Sequence, residues 1–163
     1  METTIMAART LLNTAVPEAY QTLLTLSEQT ERAALGAGVD PLSIELVRIR
    51  ASQLNGCGFC LRMHVRDALA KGETTDRIAV LPAWRETAYF SPAERAALAI
   101  AEEITHISST PLGTSTPLGT STPLGTDDGD ALTVAQAAAL RWVAIAINGF
   151  NRVAISSHYA VKP

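Results

Sequence analysis

Two cysteines and a histidine stand where a thiol redox reaction would need them. Cys57, Cys60 and His64 occupy positions i, i+3 and i+7, and at about 100° per residue they fall within roughly 60° of one another on one helix face. A thiol is a nucleophile only when deprotonated, and a cysteine in the first turn of a helix gains thiolate stability from the dipole and from unpaired backbone donors. The neighbouring thiol of a C-x-x-C pair then displaces hydroxide from a sulfenic acid, closing a disulfide that an external thiol reopens. His64 lies one turn beyond Cys60, and an imidazole, which titrates near neutrality, is suited to shuttle the proton. The dipole favours Cys57 as the attacking sulfur, whereas the i, i+4 relation to His64 favours Cys60.

A fourth residue joins them if the chain turns back on itself at Asn55-Gly56. Glu45 then lies about 15 Å before the turn and His64 about 12 Å after it, counting about 1.5 Å per helical residue, so an antiparallel helical hairpin brings the two level. His64 would touch Glu45 on one side and reach toward Cys60 on the other, directly or through water. The competing readings are concrete. Cys57, Cys60, His64 and Glu45 have the softness and number to bind zinc, although structural sites usually show two clear paired motifs. The cysteines are otherwise inert core residues, His64 a capped or core histidine, and Glu45 a solvated partner of Arg48 or Arg50. Leu61 excludes a haem attachment, which needs histidine directly after the second cysteine.

The elements that must hold this pair read as all-α, about six helices with a central helical hairpin carrying the C-x-x-C. Pro17 opens a helix with Tyr20, Leu23, Leu24, Leu26 and Leu35 on its apolar side, stopped by Gly36 to Gly38. Asp40-Pro41 caps a second, containing Leu42, Leu46, Ile49 and Leu54 and ending at Asn55-Gly56. Alternation over Ile44 to Ile49 also permits a strand, but helical spacing groups more of the apolar residues. A third helix starts near Cys57 and runs to Lys71, with Gly72 as its terminator. Ser91-Pro92-Ala93-Glu94 forms a capping box with proline at the first helical position and opens an alanine-rich helix to about Thr105. Thr133 caps a last long helix through Ala154, with so little polar face that it must be central or lie at a subunit interface. Trp84, Trp142, Tyr89 and Phe90 read as packing residues, and His106 and His158 have no partner pattern.

At 163 residues the chain fits one domain, 1–163. Ser-Thr-Pro-Leu-Gly-Thr occurs three times in tandem at 109–126, and a six-residue period with Pro and Gly in each copy suits an inserted low-complexity loop, not a solenoid. The net charge of −3 without a basic run gives no footprint for nucleic acid or an anionic membrane. The N-terminus lacks the pattern of a secretory signal, and Val134 to Phe150, the most apolar stretch, is broken by Gln136, Arg141 and Asn148. A cytoplasmic protein is expected, and in that reducing compartment a close cysteine pair points to redox or metal chemistry before a structural staple.

The run Glu45-Leu46-Val47-Arg48-Ile49-Arg50-Ala51-Ser52-Gln53-Leu54-Asn55-Gly56-Cys57-Gly58-Phe59-Cys60, followed by Met63-His64, resembles the alkylhydroperoxidase D (AhpD)-like branch of the carboxymuconolactone decarboxylase family. The resemblance extends through Gly72-Glu73, Ala83 to Glu86 and Ser91 to Ala99 to Ala146-Ile147-Asn148-Gly149-Phe150-Asn151-Arg152, nearly the whole chain outside the hexapeptide tract. It implies an all-helical fold assembling as a homo-oligomer, a trimer or hexamer. It also implies a thiol peroxidase cycle acting on small hydroperoxides, in which Cys60 attacks, Cys57 resolves, and Glu45 and His64 relay protons. No cofactor or metal beyond the redox-active Cys57–Cys60 disulfide is implied, and the electron donor would be a dithiol or a thioredoxin-like or lipoyl carrier. The family's other named activity, lactone decarboxylation, would not need the thiol pair. Two positions depart from the pattern: Phe59 stands where the best-characterised branch often has a histidine of the relay, and Phe150 replaces a common tryptophan.

Overall fold

Proline and side-chain caps set where most of the helices begin. The computed structural model describes residues 10–109 and 131–162, and its described residues form helices without strands. These are α1 (Leu12–Ala15), α2 (Pro17–Gly36), α3 (Pro41–Asn55), α4 (Gly58–Ala70), α5 (Thr75–Val80), α6 (Pro92–Thr105) and α7 (Val134–Ser156), with 3-10 turns at Leu81–Glu86 and Ile107–Ser109. The Asp40 carboxylate accepts the Leu42 amide at 2.7 Å, and Ser91 and Thr133 each complete a reciprocal capping box, with Glu94 and Gln136. Each such cap satisfies amide donors that the first helical turn leaves without partners. The hexapeptide tract lies, from Thr110 onward, outside the described residues.

The centre of the fold is α3, which packs against α4, α6 and α7 at once, while α7 also packs along α2 and α6. Every residue from Ser43 to Ile49 is buried. A helix surrounded on all sides has no polar face to mark its period, which is why this segment also admits a strand alternation in sequence. One face of α3, with Ile44 and Val47, meets Ala97, Ala101, Leu140 and Val143. The opposite face, with Leu46 and Ile49, meets Ala68, Leu81, Trp84 and Leu98.

The short elements between Gly72 and Ser91 have too few residues to show a period in sequence. Their order comes from Leu81, Trp84 and Phe90, which are buried, and from Arg77, which bonds Glu73 and Glu94 and lies over the Phe90 ring. Trp84 and Phe90 are thus packing residues as expected. Tyr89 and Trp142 are not, being 47% and 52% exposed. On α7, Val134 and Ile145 are exposed beside Trp142, so the helix is half core and half apolar surface. No helix of the described residues is long and apolar enough to cross a membrane.

Candidate active site

The α3–α4 hairpin turns at Gly56, whose left-handed φ of 68° suits glycine. The turn is tied down from α7: the Asn55 amide group donates to Asn148 Oδ1 at 2.8 Å and to Asn151 Oδ1 at 2.9 Å. Asn151 in turn donates to Ser52 Oγ at 3.0 Å. A buried carboxamide with both ends satisfied leaves the backbone of the turn little freedom.

Cys57 is the N-cap of α4 and Cys60 lies in its first turn; the Cys57 sulfur accepts the Cys60 amide at 3.3 Å. The two are joined as a disulfide with their Cα atoms 5.4 Å apart. Both are almost fully buried, at 1% and 2% exposure. Ala51, Ile147 and Ala154 form one buried cluster with them, and the partly buried Phe150 and Tyr159 pack against it. Tyr159 also meets the Phe59 ring edge to face at 5.1 Å.

One turn further along α4, His64 is buried, and its Nδ1 lies 3.0 Å from Glu45 Oε2. Glu45 is no solvated surface residue: it is 1% exposed, and its other oxygen accepts from Arg48 Nη1 at 3.0 Å and from Lys71 Nζ. Arg48 continues to Glu31 at 2.8 Å. Burial alone pushes the Glu45 carboxyl upward, but the His64 hydrogen bond, the Arg48 charge and the Lys71 hydrogen bond outweigh it and bring it down to about 2. An ionised carboxylate only accepts, so His64 Nδ1 must carry the hydrogen and donate it. In a neutral imidazole the lone pair would then sit on Nε2, which is buried and has no partner among the described residues.

The four-ligand zinc set considered from sequence is not assembled. Among the described residues, the group whose ligand atoms converge within 4.8 Å is Glu45, His64 and Asp67, with neither cysteine. The cysteine sulfurs are bonded to each other, and Glu45 already faces two cations.

Residues 17–103 match the model of the carboxymuconolactone decarboxylase family. The chain belongs to that family. YdfG of Bacillus subtilis, an uncharacterized protein, is 38% identical over 104 residues, spanning 64% of this chain and 68% of YdfG. Alkyl hydroperoxide reductase AhpD of Rhodospirillum centenum is 42% identical over 41 residues, a quarter of this chain and 22% of that protein. The fold as a whole matches an Agrobacterium tumefaciens crystal structure of a protein of unknown function, proposed to be the antioxidant defence protein AhpD. The TM-score is 0.74 at 26% identity, over 95% of this chain and 98% of the other. The fold is therefore AhpD-like.

This member of the carboxymuconolactone decarboxylase family brings Glu45 and His64 into contact and holds the disulfide on the same helix as His64. Lys71, Glu31 and Tyr159 were not anticipated from sequence, whereas the pairing of Glu45 with Arg48 was among the readings. Arg48 has a readable signal in its i, i+3 spacing from Glu45, whereas Lys71 and Glu31 reach the network from other elements and have none. Tyr159 comes from the segment after α7 and carries no motif. The exchange to Phe150 is a packing change: its ring meets Tyr20 edge to face at 6.0 Å.

Proposed function

We propose that the protein is a cytoplasmic thiol-dependent hydroperoxide reductase in which Cys60 is the peroxidatic sulfur, Cys57 resolves it, and His64 with Glu45 relays the proton. In the reduced form, His64 Nε2 takes the Cys60 thiol proton. The thiolate attacks the terminal oxygen of a hydroperoxide; the S–O bond forms, the O–O bond breaks, and the departing alkoxide takes the proton back from Nε2 and leaves as an alcohol. Cys57 then attacks the Cys60 sulfenic acid; the S–S bond forms, and hydroxide leaves with the Cys57 proton as water. Two thiols and one hydroperoxide thus become a disulfide, an alcohol and water. An external dithiol, free or on a thioredoxin-like or lipoyl carrier, restores the thiols.

The single observation that supports this most is the state of His64. Its Nδ1 is committed to an ionised carboxylate and its Nε2 is left without a partner, one turn from Cys60 on the same helix. Glu45 acts through His64 and is a positioning residue. The exposed apolar face of α7 at Val134, Trp142 and Ile145 supports assembly into a trimer or hexamer.

Steady-state consumption of hydroperoxides with a dithiol donor tests the proposal, and Cys60→Ser is expected to abolish turnover. Trapping the sulfenic acid in single-cysteine variants assigns the roles. Label is expected in Cys57→Ser; label found only in Cys60→Ser would reverse the two sulfurs.

A further inference from the structure

On its outer side, from Phe59 to Ala70, α4 borders a recess of about 370 Å³ whose far wall is Ala160 and Val161, in the segment after α7. Phe59 and Met63 make the near wall apolar, and Arg62 and Arg66 line it one helical turn apart. Neither arginine has a hydrogen-bond or ion-pair partner among the described residues, and in this they differ from the others. Arg32, Arg48, Arg50, Arg77, Arg85 and Arg141 each meet a carboxylate. Arg95 and Arg152 donate to backbone carbonyls. In a chain of net charge −3, these two adjacent, exposed guanidinium groups are available to an anion. Asp67 in the same lining offsets one of the two charges and leaves the recess net positive.

We propose that this recess binds the carboxylate of a small amphiphilic organic acid between Arg62 and Arg66, with its alkyl part against Phe59, Met63 and Val161. Guanidinium is the group whose paired N–H donors match a carboxylate. The volume is at the lower end of small-molecule sites, and the lining is mixed, apolar at Phe59, Met63 and Val161 and charged at Arg62, Arg66 and Asp67. On the helical wheel, Met63 and Asp67 fall between the Arg62–Arg66 edge and the Cys60–His64 stripe, so the recess and the redox stripe are neighbours. The midpoint of the two arginines is about 6 Å along the axis from Cys60. Resting on the peroxidase proposal, this names its substrate class: hydroperoxides of organic acids, held by the carboxylate with several carbons between the two groups.

Titration calorimetry of the full-length oxidised protein with octanoate and with 1-octanol tests the site without needing turnover. Saturable octanoate binding is expected, at least tenfold tighter than octanol. It should weaken at least tenfold in Arg62→Gln/Arg66→Gln, whose exposed positions leave the helical circular dichroism and thermal midpoint intact. Absence of saturable octanoate binding, or equal affinity in the double variant, overturns the site. With turnover, the KM advantage of a carboxylate-bearing over a neutral hydroperoxide should collapse toward one in the double variant; an unchanged advantage overturns the substrate assignment. A protein that binds octanoate through these arginines yet consumes no hydroperoxide keeps the acid site and loses the peroxidase function.

Discussion

His64 and Glu45 meet at 3.0 Å across the α3–α4 hairpin, from positions 19 residues apart, and the carboxylate that receives the imidazole is bonded to Arg48 and Lys71 as well. Two cations and one imidazole on a buried carboxylate keep it ionised, and the ionised carboxylate holds a hydrogen on His64 Nδ1.

Acid should weaken the fold through this carboxylate. Glu45 titrates at about 2 in the folded protein against an ordinary 4.5. A value depressed on folding adds stability that is present in full above about pH 4.5 and is lost as pH falls toward 2. Glu45→Gln removes that contribution and leaves Arg48 and Lys71 facing a neutral amide in place of a carboxylate, at a cost of roughly 3 kcal/mol at pH 7. Urea midpoints should therefore differ most near neutrality and converge below pH 4.5. A gap that stays constant across that range would contradict the assignment.

Replacing His64 by Gln should leave the fold and the disulfide in place while lowering kcat/KM for hydroperoxide by roughly 100-fold or more, the usual size of a lost acid–base group. Rates measured with a fixed dithiol concentration decide it. A variant within threefold of wild type would remove His64 from the proton path.

Asn151→Ala should destabilise the protein by about 2 kcal/mol, because it strips Ser52 of its partner and leaves a void in a fully buried site. Asn151 is 0% exposed and joins Asn55 to Ser52. The thermal midpoint should drop by roughly 5 °C. No drop would mean that Asn148 alone holds the turn.

Tyr159→Ala should speed reduction of the Cys57–Cys60 disulfide by dithiothreitol several-fold. A thiol must reach sulfurs on residues only 1% and 2% exposed, and Tyr159 packs against the cluster that contains them and against the Phe59 ring. Stopped-flow thiol release reads the rate directly, and an unchanged rate would show that access runs elsewhere.

Local signals were legible where a residue acts on its own neighbours. The helix starts at Pro17, Pro41, Pro92 and Thr133 agree with the structure, because a proline or a capping hydroxyl acts on backbone within three residues of itself. The level placement of Glu45 and His64 followed from helix rise and one glycine turn. The elements at Thr75–Val80 and Leu81–Glu86 were not legible, being too short for a period and held by distant partners such as Glu94.

The chain's own order of residues determined the helical class, the stripe of Cys57, Cys60 and His64, and the family resemblance, all of which depend on spacing along one helix or on matching text. Only the tertiary structure decided that Glu45 is buried against Arg48 and Lys71, that Tyr159 packs against the cysteine cluster, and that Arg62 and Arg66 alone among the described arginines lack a partner. Desolvation and ion pairing depend on which distant segments share a volume, and one-dimensional spacing does not contain that information.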